Sequence, residues 1–579
     1  MSHPIASVSC ITVGELVVQF LEHCGVRAAF GVISIHNMPM LDAIHRRGQI
    51  RFVPARGEAG ATNMADACAR VTGTLGVCIT STGTGAGNAA GALVEALTAG
   101  TPMLHLTGQI DSQYIDRDWG FIHEHPNQLG MLASVGKAAF RIRSAATALT
   151  TLQEAHRLAH TAPCGPVSVE IPIDVQASFL DAKQALELAD IVQAAPFLIA
   201  PVGPDAAKVQ QLAQRLNAAR KPLLWLGGGA RGAAGAVQRL VAMGFGVVTS
   251  VQGRGVLHED HPANLGAFNL QKASAALYAQ CDAMLIVGSR LRSNETMKYS
   301  LALPSTRFRI DANALAEGRG YSSELFVHGD ASTTLHALAD ALADYRAHAP
   351  WQGAVLAARS AAQEQVNEGL GAYLALKNEV NYAVQTQLQG DCVWVRDITL
   401  SNTMWGNRSL VLQHPRAGVH AMGGGIGQGL AMGIGAAVAV EVYKKNRPLA
   451  SMNVAQAALK TIVLAGDGGF MLNVGELACA VQERANMLVI LMNDGGYGVI
   501  KNIQDADYGG RHCYVDLHTP NFAMLCASMG ARHLYLRDPN DTAAMLHAAL
   551  AHTTPVVLEV DMKAWSPFAH KAAGPQRTL

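Results

Sequence analysis

The chain has 579 residues, half of them hydrophobic, with 44 basic and 44 acidic residues and a formal net charge of zero. That length fits three or four globular units. The balanced charge, with a pI near 7.3, removes the electrostatic reason to expect nucleic acid or an anionic membrane as partner, which leaves small-molecule chemistry.

The opening MSHPIASVSC lacks a basic start followed by an apolar run, and no stretch of about 18 uninterrupted apolar residues occurs, so a soluble cytoplasmic protein is expected. The ten cysteines form no CxxC pair and several sit inside apolar segments such as LGVCITS. They are expected to be reduced packing residues. Short apolar runs bounded by Gly, Pro, Asn or Asp then alternate with helical stretches along the whole chain. AAFGVI, LGVCIT, PMLHLTG and PVSVEIP come first, PLLWLGGG, GVVTSV, AMLIVGS and RFRIDAN second, and CVWVRD, TIVLAGDG, MLVILMNDG and PVVLEVD last. Such alternation predicts parallel sheets covered by helices. The class is therefore α/β, with three doubly wound parallel-sheet domains expected at 1–185, 195–345 and 370–579, separated by Ala-rich strandless stretches near 180–200 and 340–375. The first and third could be distant copies of one architecture.

Within the third set, the run GDGGFMLNVGELACAVQERANMLVILMNDGGYG (466–498) is the most informative. Asp467 and Asp494 both fall where an apolar strand ends, and one helix's worth of sequence lies between them. A βαβ unit would return both side chains to the same sheet edge, beyond the carboxyl ends of the strands, where open α/β sheets bind ligands. Two acids there suit a hard cation such as Mg²⁺ that keeps positions open for phosphate oxygens. Gly466, Gly468 and Gly469 let backbone amides approach those phosphates. Gly-Asp-Gly alone is as often an ordinary turn, and it is the strand-helix-strand context that argues for a site.

The same run resembles the thiamine diphosphate binding motif of the acetolactate synthase, benzaldehyde lyase and pyruvate decarboxylase superfamily, a GDG followed about thirty residues later by Asn-Asn. The resemblance covers nearly the whole chain and implies pyrimidine-binding, central and diphosphate-binding domains in that order. Carried over, the metal ligands are Asp467, Asp494 and the backbone carbonyl of Gly496, with Gly468, Gly469, Tyr497 and Gly498 beside the cofactor. Asp494 departs from the usual Asn and adds a negative charge near a diphosphate. GGGIGQGLAMGIGAA (423–437) is similar to the segment whose bulky apolar residue props the cofactor into its bent shape, which puts Gly425 and Ile426 under the bend. LSNTMW (400–405) resembles a diphosphate-contacting stretch and points to Ser401 and Asn402.

In the first domain, ARGEAGATNMADACAR (55–70) resembles the helix of the catalytic glutamate, placing Glu58 against the pyrimidine ring nitrogen. There a carboxylate drives the aminopyrimidine toward its imino form, and burial in an apolar setting would raise its pKa to suit that shared proton. Because this acid and the metal site lie in different domains, the family pairs them across two subunits, which implies a homodimer or homotetramer with intersubunit active sites. His36 in FGVISIHNMP aligns with a histidine over the thiazolium in benzaldehyde lyase. His123 in FIHEHPNQLGML falls where relatives carry Gln. Both are expected to shuttle protons, His123 foremost, with His125 a neighbour.

Two positions bear on substrate. Asn294 in GSRLRSNET stands where biosynthetic acetolactate synthases present an Arg to the carboxylate of a second 2-oxo acid, and Ile503 stands where they carry a Trp. Loss of the carboxylate clamp favours a neutral aldehyde or ketone acceptor. The resemblance thus implies a lyase or carboligase that decarboxylates a pyruvate-like 2-oxo acid and joins the resulting enamine to a second carbonyl. A non-ligating decarboxylase and an FAD-dependent pyruvate oxidase are the alternatives. The middle domain's GGGARG lacks a GxGxxG with a downstream ribose-binding acid, so FAD is compatible with the family but not expected.

Overall fold

The computed structural model describes residues 11–194, 199–443 and 459–569. Its strands form three sheets, and every pairing within them is parallel. The first sheet contains Ala28–Gly31, Arg51–Pro54, Gly76–Thr80, Met103–Gln109, Ala138–Arg141 and Pro166–Pro172 (β1 to β6) in the order β2-β1-β3-β4-β6-β5. The second contains Pro222–Leu226, Gly246–Thr249, Ala283–Val287, Arg307–Asp311 and Leu325–His328 (β7 to β11), ordered β11-β10-β9-β7-β8. The third contains Cys392–Arg396, Gly418–His420, Lys460–Gly466, Met487–Asn493, Arg532–Leu536 and Val556–Asp561 (β12 to β17), ordered β13-β12-β14-β15-β17-β16. Numbered within each sheet, the first and third have the same order, 2-1-3-4-6-5, as expected of two copies of one architecture.

The central strands are buried on both faces because helices cover both sides; β3, β4 and β6 are buried at every residue. Five strands have no clear apolar run in the sequence: β2, β5, β11, β13 and β16. All five lie at sheet edges, where half-exposed positions mix polar with apolar side chains and blur the apolar run.

The first and third domains share one core inside the chain. Helix Glu58–Thr72 contributes Ala61, Met64, Ala65 and Cys68, and helix Gly429–Tyr443 contributes Leu430, Ile434 and Val438. The second helix is hydrophobic all round, as a helix buried on every side must be. A Cβ at Gly435 would lie 2.1 Å from the Met64 carbonyl oxygen, so glycine sets how closely these helices approach. Beside them, Arg70 pairs with Asp66 and, at 2.9 Å, with Glu95, all fully buried. Six of the described cysteines are buried as expected, whereas Cys513 is exposed. Among the described residues, no helix is long and apolar enough to cross a membrane.

Candidate active site

In the third sheet the strand order reverses between β12 and β14, which is where open α/β sheets present ligand crevices. A cavity of about 400 Å³ opens there. β14 delivers Asp467 as the first residue of helix Asp467–Leu472, and β15 ends one residue before Asp494. Because Gly466 pairs with Met492 across these strands, the two acids reach the same rim. Asp467 is buried and neither carboxylate oxygen has a hydrogen-bond donor. Burial, then the facing Asp494, pushes its pKa well above the usual carboxylate range. Burial also raises Asp494, and Lys501 opposes that rise.

Two facing carboxylates, one of them without a donor, form an incomplete arrangement that a cation would complete. Among the described residues no group of three or more His, Cys, Asp or Glu side chains gathers as a metal cluster. The donor set here is two carboxylates with Gly496 beside them, and such a set leaves coordination positions for phosphate oxygens. Gly468, Gly469, Tyr497 and Gly498 line the same cavity, as do Ser401 and Ile426. The Ser401 hydroxyl is buried without a partner and is thus available to an incoming acceptor. Asn402 and Gly425 are not among the lining residues. A Cβ at Gly406 would lie 3.0 Å from Asn402 Oδ1, which puts that amide in the protein interior. The extra negative charge that Asp494 brings is met locally, since Lys501, ion-paired with Asp516 at 2.8 Å, also lies against Gly496.

Asp397 was not anticipated. It follows β12 directly and is fully buried, and its carboxylate accepts the N–H groups of Ile398 (2.7 Å), Gly427 (3.1 Å) and Gly429 (3.2 Å). Burial raises its pKa to about 6 against the pull of those amides. Its place at the carboxyl end of a strand in CVWVRD was the available signal.

The first domain gathers a second group around its own switch point, between β1 and β3. Glu58 begins helix Glu58–Thr72 and is half-buried in the single chain; its Oε2 accepts from Asn88 Nδ2 at 3.1 Å. A Cβ at Gly85 would lie 2.9 Å from Glu58 Oε1, and one at Gly83 would lie 2.6 Å from the His123 carbonyl oxygen. One glycine-rich loop after β3 therefore touches both residues. His123 is exposed with φ +68°, and its ring meets that of His36 edge-on at 5.1 Å. His36 is buried with Nδ1 unpartnered, and burial, then the nearby His123, keeps its pKa low, so its imidazole is neutral near pH 7. His125 accepts from the Asn127 backbone N–H at 3.1 Å, a local turn contact. Gln128, buried, supports this loop by accepting from Thr82 Oγ1 and Gly83 N.

The middle domain has a cavity of about 260 Å³, lined by Gly228, Gly229, Arg231, Arg290, Arg319 and Asp311 among others. Asn294 is exposed on the turn Ser293–Glu295, while Arg292 reaches out of this domain to the Met422 carbonyl oxygen at 2.5 Å.

Comparison with known proteins agrees with this layout. The thiamine pyrophosphate enzyme N-terminal TPP binding domain matches residues 11–131, the central domain of the same enzymes 209–338, and their C-terminal TPP binding domain 401–560. A probable 2-ketoarginine decarboxylase of Pseudomonas aeruginosa is 30% identical over 93% of this chain and 91% of its own length. The acetolactate synthase isozyme 2 large subunit of Escherichia coli is 27% identical over 95% of both. The acetolactate synthase large subunit of Lactococcus lactis is 26% identical over 94% of this chain and 92% of its own length. With three parallel-sheet domains in the matching order, the chain belongs to the thiamine pyrophosphate enzymes.

Proposed function

We propose that the protein decarboxylates a pyruvate-like 2-oxo acid and joins the resulting fragment to an aldehyde or ketone, with Mg²⁺ and thiamine diphosphate as its cofactors. The observation that carries the reading is Asp467, a buried carboxylate without a hydrogen-bond donor, facing Asp494 at the rim of a glycine-lined cavity. Asp467, Asp494 and the Gly496 carbonyl would hold the cation, with Ser401, Gly468, Gly469, Tyr497 and Gly498 beside the diphosphate and Ile426 beneath the ring pair. When bound, the cofactor supplies a nucleophilic carbon that takes up the 2-oxo acid and stores the electron pair left by CO₂.

The protein's own groups would hold and move protons. Glu58 shares a proton with the pyrimidine ring nitrogen. Neutral His36 accepts a proton, and exposed His123 delivers one to the substrate oxygen. Glu58 belongs to the first domain and the cavity to the third, and the family pairs such groups across subunits, so the working site would be completed by a second copy of the chain, in a homodimer or homotetramer. Exposed Ile33, Ile35, Trp119 and Ile122 near the first-domain group support such a contact, since exposed apolar clusters mark interfaces. We place the protein in the cytoplasm.

The probable 2-ketoarginine decarboxylase among the relatives favours a second reading, decarboxylation in which a proton replaces the carbonyl acceptor. A panel of 2-oxo acids incubated with and without aldehydes, followed by chiral product analysis, separates the two. Acyloin products support ligation, and aldehyde alone from every pair supports simple decarboxylation. A flavin absorption spectrum in the purified protein would instead favour the oxidase alternative. No CO₂ release from any 2-oxo acid by chain loaded with cofactor would defeat all three.

A further inference from the structure

The glycine-rich segment 422–429 carries Ile426 into the cavity, yet little of its own side-chain substance could fix its height. Two buried carboxylates from opposite directions hold its ends. At the start, Glu95, on helix Ala90–Ala99 of the first domain, accepts the Met422 N–H at 2.6 Å and the Gly423 N–H at 2.5 Å. Arg70 orients that carboxylate at 2.9 Å and also donates to the His420 carbonyl at 2.6 Å. At the other end, Asp397 accepts the N–H groups of Gly427 and Gly429. Asn473 donates to the Gly427 carbonyl at 2.6 Å, and Arg292 of the middle domain holds the Met422 carbonyl. Gly424 and Gly427 turn the chain with φ of +83° and +86°. The tip Gly424-Gly425-Ile426 is exposed, and Gly424 and Ile426 line the cavity.

We propose that Glu95 and Asp397 are positioning residues that set the height of Ile426 against the bound cofactor, an inference that rests on the thiamine diphosphate reading. Each carboxylate accepts two amides of the segment, one pair before the tip and one after it, so the tip cannot move without breaking charge-assisted hydrogen bonds at both ends. Glu95 acts from another domain, and a pin across a domain interface is not needed merely to form the turn. Misplacement by about 1 Å at a reacting centre can cost ~10²-fold in rate.

The test uses the full-length chain in three steps. Thiamine diphosphate binding by the unmodified chain is measured first, by titration calorimetry with Mg²⁺ present, and no binding defeats the cofactor reading itself. Hydrogen exchange of the cofactor-free chain comes second. The amides of Met422, Gly423, Gly427 and Gly429 should be protected like those of β14, and exchange as fast as in an open loop overturns the proposal without any variant. Third, Glu95→Gln and Asp397→Asn should speed exchange in 421–429 while leaving β14 and β15 unchanged, and should lower kcat ~10-fold or more with little change in KM. In an Ile426→Gly background the same substitutions should cost little further kcat, because both act through that side chain. Full additivity with Ile426→Gly, or losses that track global melting in either variant, overturns the proposal.

Discussion

The first and third sheets are built to one plan, strand order 2-1-3-4-6-5 with the switch point between the first and third strands, yet their rims carry opposite chemistry. The third rim presents glycines, a partnerless hydroxyl and two facing acids, groups that suit a cation and a diphosphate. The first presents a glutamate and two histidines, groups that exchange protons. The scaffold determines where a site falls, and the loops determine what it does. The two rims are also unequal in completeness. Asp467 lacks any donor, whereas Glu58 is held by Asn88 and the loop after β3.

Substitutions that separate binding from proton chemistry sharpen this comparison. The largest effect is expected at the third rim: Asp467→Asn should weaken thiamine diphosphate binding in the presence of Mg²⁺ by ~10³-fold, the scale of a lost metal contact, as read by calorimetry. Binding unchanged by that substitution would remove the distinction between the rims.

A pH effect is expected from a buried histidine of the first domain. His105 in β4 is fully buried between Thr80 and Ser168, and burial holds its pKa down to about 4 against an ordinary 6.5. The unfolded chain therefore takes up this proton first, so the stabilisation is full above about pH 6.5 and is lost as pH falls toward 4, amounting to roughly 3 kcal/mol. Urea unfolding followed across that window should show the loss, and His105→Gln should reduce it, the remainder belonging to other buried histidines such as His156 and His420.

Glu58→Gln should lower kcat by about 10²-fold while leaving cofactor affinity nearly intact, the reverse of the Asp467→Asn pattern. Full turnover by Glu58→Gln would sever the first rim from the chemistry. The smallest effect, about tenfold in rate, is expected for His123→Ala, whose exposed ring is the more easily replaced by water. A shift of product toward simple decarboxylation in that variant would tie His123 to the acceptor step.

Much of this was legible in the sequence, for reasons that differ by region. Buried central strands such as β9 and β15 read as unbroken apolar runs, while edge strands such as β5 and β16, partly open to water, did not. Asp467 and Asp494 could be paired from spacing alone, because a single βαβ unit returns both to one rim. Asp397 and Glu95 could not. Their partners are backbone amides 30 and more than 300 residues away, and an amide carries no signature in the sequence. Asn402 points the same way: its segment was placed by resemblance, yet its side chain turns inward beside Gly406, a matter of local backbone geometry.

Mixing the two defective variants, Glu58→Gln and Asp467→Asn, under conditions where subunits exchange, tests most directly whether a third-domain rim and a neighbour's first-domain glutamate make one site. A hybrid dimer would hold one site with both lesions and one with neither. Recovery of about a quarter of the unmodified activity is expected at random pairing. Activity that stays at the level of the separate variants, despite proven exchange, would contradict it.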